Sequence, residues 1–393
     1  MNTSVLRPHS ATRVAVIGGG LIGLGIAWRL AQRRHDVVVF DRDELGLGAS
    51  YAAAGMLSVV GEAETMSKPL FDLCLESRRR WVDFADELER CSGVAIDFRA
   101  RGTLLVARNE RERAELTTLL ERYAPVDLLL SLSAEAALAF EPAAAPDMMS
   151  AFAPVDGSVD NRRLLVALRL AAMRAGVTFR TREGVTRIVT CGARAVGVES
   201  PYATYPADIV VLASGVGTNS LLAASGLPEL AQISPVKGEL IALQMNSETP
   251  LIRRVIRSLD GTYIVPRSTG RVIVGATSVP GDWSLSTSPE AKLKLQRGAI
   301  AMIPALADLP VIDHWAGLRP LSASGLPHIG PAGPTGLILA LGHYRNGVLL
   351  TPITADLIAA MLMQNLSQHD QALVSAFNPG NDDLPAGNRE AWL

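Results

Sequence analysis

The residues of most immediate chemical interest are three glycines and an acid near the start of the chain. Gly18, Gly20 and Gly23 stand in the order G-x-G-x-x-G, and Asp41 follows at the end of the next β-branched run. Gly18 permits a tight turn from strand to helix. Gly20 removes the Cβ that would hold a pyrophosphate away from the backbone, and Gly23 lets helix and strand pack closely. The amides of Leu21 and Ile22 open a helix whose N-terminus offers N–H groups and the positive end of its dipole to phosphate. Asp41 is placed to accept hydrogen bonds from ribose hydroxyls. The chemistry is dinucleotide binding, and these residues alone leave NAD and FAD both open.

Positioning those residues requires a particular order of elements. Arg13–Ile17 (RVAVI) reads as a strand buried on both faces. Leu21, Ile22, Leu24, Ile26, Ala27, Leu30 and Ala31 carry helical periodicity, and Asp36–Phe40 (DVVVF) reads as a second strand. Strand, glycines, helix, strand and acid in this order make the pattern specific, where a lone G-x-G-x-x-G would be weak. Further on, the pattern predicts a helix over 71–89, a strand over 102–107, and a charged helix opened by Asn109 with Glu112 as a capping box. A helix over 161–175, a strand over 208–215 ending in a glycine turn, and short β-rich runs over 234–316 follow. The loop Gly342–Gly347 feeds an apolar helix reaching Met363, with Pro352 tolerated in its first turn.

Composition narrows the function. The 393 residues suit about two domains. With 48% hydrophobic and 19% charged residues there is ample apolar surface for large cores. Lys and Arg (37) nearly balance Asp and Glu (39), so no electrostatic footprint for nucleic acid or an anionic membrane is expected. Cys74, Cys91 and Cys191 are too widely spaced for a metal cluster or disulfide framework, and no histidine pair stands at ligand spacing. The apolar stretch Val14–Ala31 holds five glycines and Arg29, which argues against a membrane helix. A cytoplasmic enzyme without metal is the expectation. Residues 1–12 are expected to form a polar extension and 377–393 a disordered tail.

Three later segments favour a flavin: the small-residue run 48–57 (GASYAAAGML), the strand and turn 208–215 (DIVVLASG), and the loop 342–347 (GHYRNG). Together with PVKGE at 235–239, YIVPR at 263–267, VGATS at 274–278, GDW at 281–283, WAGLRP at 315–320 and GLPHIG at 325–330, they run in register from about residue 13 to 365. In these segments the chain resembles the D-amino-acid-oxidase-type flavoprotein superfamily, and most closely the glycine oxidases of thiamine biosynthesis. The resemblance implies an α/β fold, a Rossmann-like FAD-binding domain interleaved with an antiparallel-sheet α+β substrate domain. The first would take 1–88, 156–233 and 318–376, the second 89–155 and 234–317. FAD would be held noncovalently, since no cysteine follows Cys191.

The resemblance also assigns roles. Arg319 would clamp a substrate carboxylate through its planar fork, and Tyr263 would donate to the same group. Arg345 and Met56 would line the substrate pocket. Cofactor contacts would come from Leu21, Ile22, Asp41, Arg42, Ala49, Ser50, Ala54, Gly55, Met56 and Val185. His343, Tyr344, Arg345, Asn346, Gly347, Val348 and Leu349 would complete them. Little acid–base machinery is needed; positioning by Arg319 and Tyr263 would supply most of the catalysis. The implied reaction is oxidation of glycine or a related small amine or D-amino acid with O₂, linked to the thiazole synthase pathway, in a homo-oligomer. A dehydrogenase using quinone and a non-catalytic flavin scaffold are the alternatives. Three departures bear on the substrate and the flavin: Gly261 replaces a larger polar residue ahead of Tyr263, Ser214–Gly217 lacks an aromatic, and Tyr51 replaces a small residue.

Overall fold

Alternate residues of Arg13–Ile17 face two different layers. Val14 and Val16 pack into a helical layer built from Leu21–Gln32, Lys68–Ser92, Asn161–Arg174 and Thr351–Leu362. Ala15 and Ile17 pack against a small antiparallel sheet formed by Arg187–Cys191, Arg194–Glu199 and Thr204–Pro206. A strand apolar on both faces belongs between two covering layers, as the run RVAVI predicts. The computed structural model describes residues 12–379; all but the last residue of the expected extension over 1–12 and most of the expected tail lie outside the described residues.

The first strand sits centrally in a six-stranded sheet ordered His328–Pro331, Leu337–Leu341, Ile209–Leu212, Arg13–Ile17, Asp36–Phe40, Thr178–Arg180. All neighbours are parallel except His328–Pro331, which runs antiparallel to Leu337–Leu341. The glycine turn leaves the carboxyl end of the first strand, where ligands bind in open α/β sheets.

A second, larger sheet holds nine strands. Ile233–Gln244 lies one strand in from its edge, paired antiparallel with Val311–Ser322, the edge strand, along nearly its whole length, and on the other side with Arg271–Gly275 and the short Val279–Pro280. Tyr263–Pro266, Val255–Ser258, Thr103–Ala107, Met149–Ala153 and Leu130–Leu132 continue it. Period-two alternation sorts the faces: Ile241, Ile264 and Val274 turn to the helix Pro289–Met302, whereas Leu240, Tyr263 and Ile273 turn to the other side with Ala54 and Met56.

The structure corrects several boundaries. Helix Lys68–Ser92 runs unbroken across the expected 88/89 division and ends only where Gly93 takes a left-handed φ of 70°. The expected 317/318 division falls inside Val311–Ser322, so Arg319 belongs to the antiparallel sheet. Phe377, placed in the tail by sequence, is the buried last residue of helix Gln368–Phe377. The region 234–316 is not only short strands: it holds a twelve-residue strand and the helix Pro289–Met302.

Candidate active site

The glycine turn is built as its spacing demands. Gly18 has a φ of +110°, and a Cβ there would lie 2.3 Å from the Ala213 carbonyl oxygen. A Cβ on Gly23 would lie 1.9 Å from the Gly18 oxygen, so this residue serves helix–strand packing and lies outside the cavity lining, a correction to its expected cofactor contact. At Gly20 a Cβ would meet only the Ser50 hydroxyl, at 2.9 Å, and the residue opens onto the cavity. The Leu21 amide donates to Ser50 Oγ at 2.9 Å, which caps the helix from within the protein. Asp41 Oδ2 accepts from the Gly19 amide at 2.8 Å and Oδ1 from the Asp43 amide at 3.0 Å, which ties the acid to the turn. Burial pushes its carboxyl above the usual range, against those two hydrogen bonds.

A cavity of about 560 Å³ starts at this turn and runs between the two sheets. Gly18, Gly20, Leu21, Ile22, Asp41, Arg42, Ala49, Ser50 and Val185 line its first part with Ala213–Gly217. Ala54, Gly55, Met56 and the run His343–Leu349 line its continuation, and Tyr263, Arg319 and Arg345 face the same space. Sequence reasoning missed Glu62, Ser58, Gly238 and Leu240 on this wall.

The substrate end is braced by long-range contacts. Arg319 Nη1 donates to the Thr277 carbonyl at 3.1 Å. A Cβ at Gly238, its cross-strand neighbour but two, would sit 2.4 Å from the guanidinium, so only glycine leaves room for it. Arg319 keeps some accessible surface because it borders the cavity; elsewhere protein encloses it. That enclosure lowers the guanidinium below the ordinary arginine value, and the Arg345 charge lowers it further. Burial pushes the Tyr263 phenol up, which keeps its proton available for donation, while Arg319 acts the other way. Burial alone would lower Arg345, but Tyr344, Glu62 and Tyr263 outweigh it and hold it up. Its Nη2 reaches Ser278 Oγ at 3.5 Å and its guanidinium lies 5.2 Å from the Tyr344 ring centre.

The loop after Met56 is held by two buried groups. The Asp156 carboxylate, fully buried, accepts from the amides of Val59 (2.8 Å), Val60 (3.0 Å) and Gly61 (3.1 Å) and from Ser58 Oγ (3.0 Å). Arg257 Nε donates to the Gly61 carbonyl from the other side. Arg267, in YIVPR, donates to the Ala54 carbonyl and to Asn161 Oδ1 at 3.2 Å, fixing the small-residue run; burial lowers its guanidinium to about 10. Not all expected side chains point at the cavity: His343 Nε2 pairs with Thr354 Oγ1 at 3.1 Å, and Asn346 Nδ2 with Cys74 Sγ at 3.5 Å. Gly261 turns the hairpin before Tyr263 at φ +91° and does not border the cavity, so its lack of a side chain does not enlarge the substrate space. Tyr51 also lies outside the lining, under the Arg162 guanidinium at 4.0 Å.

A glycine turn at the carboxyl edge of a parallel sheet, opening into one long cavity that ends at Arg319 on the second sheet and Arg345 on the loop after Leu337–Leu341, is the arrangement of a dinucleotide-dependent oxidoreductase. The chain matches the FAD dependent oxidoreductase family over residues 13–361, and it belongs to that family. It is 34% identical to the glycine oxidase of Geobacillus kaustophilus over 363 residues, 91% of this chain and 95% of that one. The crystal structure of glycine oxidase from the same organism superposes with a TM-score of 0.84 over 91% of this chain and 96% of that chain. The bifunctional protein ThiO/ThiG of Synechocystis sp. is 37% identical over 376 residues, 94% of this chain; this chain spans 54% of that relative. The protein is thus an FAD-binding oxidoreductase, and the residues present fit the cofactor. The Gly20 cradle admits a pyrophosphate, and Gly55, at φ +73°, brings backbone rather than side chain to the cavity wall. Among the described residues no group of three metal-ligating side chains occurs, and no helix is long and apolar enough to cross a membrane.

Proposed function

We propose that the protein oxidises glycine or a closely related small amine or D-amino acid to the imine, with O₂ as electron acceptor. Overall, glycine, water and O₂ become glyoxylate, ammonia and H₂O₂. The observation that carries this reading is Arg319 and Tyr263 facing the cavity that begins at the glycine turn. The glycine oxidases and the ThiO/ThiG protein among its relatives support it, and point to an imine used in thiamine thiazole assembly.

FAD when bound supplies acceptance of two electrons from the substrate Cα–H bond and their delivery to O₂. Gly20, Ile22, Asp41, Ala49, Gly55, Val185 and the His343–Leu349 run would hold it. Arg319 offers two parallel charge-assisted hydrogen bonds to a carboxylate, and the neutral Tyr263 hydroxyl adds a third donor. With the carboxylate fixed, a two-carbon amino acid has little freedom left, and orientation provides most of the rate. Arg345 adds positive charge to the same end of the cavity, which favours the substrate form whose amine is neutral and whose carboxylate is charged.

Anaerobic addition of glycine should bleach the visible absorbance of the FAD-loaded protein, and air should then restore it with release of peroxide. A panel of glycine, sarcosine, N-ethylglycine, D-alanine and D-proline ranks the substrates. Absence of bleaching by every member would refute the reading; bleaching without peroxide would assign the electrons to another acceptor.

A further inference from the structure

The cavity lining holds four carboxylates among the described residues. Asp41, Asp43 and Glu44 cluster beside the glycine turn, and Glu62 alone lies at the arginine end. Glu62 is buried, and its charge acts on Arg319, Arg345 and Tyr263 together. Its position is not incidental to a mobile loop, since the Asp156 carboxylate gathers the three amides before it and Arg257 grips the Gly61 carbonyl. Arg257 Nη1 also stands 3.7 Å from Glu62 Oε1.

An amino acid carries two polar groups. If Arg319 and Tyr263 take the carboxylate, the nitrogen remains to be met, and a buried amine without a partner would weaken binding. We infer that Glu62 is the specificity-determining residue that receives the substrate's amino nitrogen. This rests on the proposed amine oxidation and deepens it. Three guanidinium groups (Arg257, Arg319, Arg345) and two carboxylates (Glu62, Glu64) leave this end with a net single positive charge, matched to a carboxylate-bearing ligand whose amine is neutral. The same carboxylate can accept N–H bonds from a primary or a secondary amine, and it repels a ligand that presents a hydroxyl-free anion in place of the amine.

The test compares FAD-loaded wild type with Glu62→Gln. Rapid-reaction reduction by glycine yields a Kd and a limiting rate, and perturbation of the flavin spectrum by acetate yields the Kd of a carboxylate with no donor in the amine's place. Glycine Kd should rise at least tenfold, acetate Kd should change less than threefold, and Glu62→Asp should recover part of the loss. Parallel weakening of both ligands, or an unchanged glycine Kd, overturns the inference. Arg257 keeps Glu64 3.5 Å from its Nη2, so the substitution does not strip its counter-charge. If Glu62→Gln fails to hold FAD, the same comparison is made on Glu62→Asp, where glycine must again weaken more than acetate. Wild type that no amine reduces would instead refute the amine-oxidation reading itself, an outcome separate from any difference between variants.

Discussion

Thr277 holds Arg319 through its carbonyl and is itself held by the facing strand: its Oγ1 accepts from the Glu239 amide at 2.8 Å, and its own amide donates to the Glu239 carbonyl at 3.2 Å. The guanidinium is therefore aimed by a backbone atom two steps from the sheet ladder. Thr277→Val keeps the shape and deletes the acceptor. A lost buried hydrogen bond costs ~1 kcal/mol, so KM for glycine should rise about fivefold with kcat changed less. Steady-state kinetics checks the split, and an effect on kcat alone would contradict it.

Arg319→Ala removes the clamp itself. Truncating one partner of a desolvated charge pair costs ~2–5 kcal/mol, or about 30-fold to several thousandfold in kcat/KM. FAD content, read from visible absorbance, should stay normal. Arg319→Lys should recover little, because an ammonium lacks the two-pronged geometry.

The glycines separate cofactor binding from folding. Gly20→Val puts a branched side chain where only the Ser50 hydroxyl stands near, on the cavity wall. The purified variant should be folded and colourless. Gly23→Ala forces a Cβ onto the Gly18 carbonyl, which is backbone and cannot give way cheaply. Overpacking of this kind costs ~1–3 kcal/mol, so this variant should show a lowered Tm even without cofactor.

His343 predicts an acid sensitivity. Burial holds its imidazole down at about 3, so the folded protein keeps it neutral while an unfolded chain binds a proton near the ordinary value. The unfolded state then carries the extra proton between those two values. Stability must fall as pH drops below about 6.5, by up to ~1.4 kcal/mol per pH unit, until the folded value is reached. Urea unfolding at several pH values reads the slope, and His343→Gln should flatten it while keeping a hydrogen-bonding group for Thr354.

What the sequence discloses follows how local each interaction is. Arg13–Ile17 and Asp36–Phe40 appear with the bounds the pattern predicts, because a glycine turn and alternating burial are settled within thirty or so residues. Asn109 likewise accepts from the Glu112 amide as the capping box requires. The brace on the substrate end was invisible for the opposite reason: Asp156 reaches back to Val59, and Arg267 to Ala54, across stretches that no periodicity connects. Helix Pro289–Met302 did leave a signal in the Ser288 cap, Pro289 at its first position, and the buried series Ala291, Leu295, Ala299, Met302. The β-rich surroundings masked it. Arg319 was found by resemblance to a motif, since nothing in WAGLRP alone distinguishes a ligand-facing arginine from one paired within a strand.

The strand order has a consequence for biosynthesis. Arg13–Ile17, made before every other strand of its sheet, gains one neighbour soon after in Asp36–Phe40, but its other edge waits for Ile209–Leu212, and that strand in turn for Leu337–Leu341. The cofactor's pocket is walled partly by residues 340–349. A nascent chain therefore exposes the glycine turn long before it can retain FAD, and loading of the cofactor has to wait until residues 340–349 have been made.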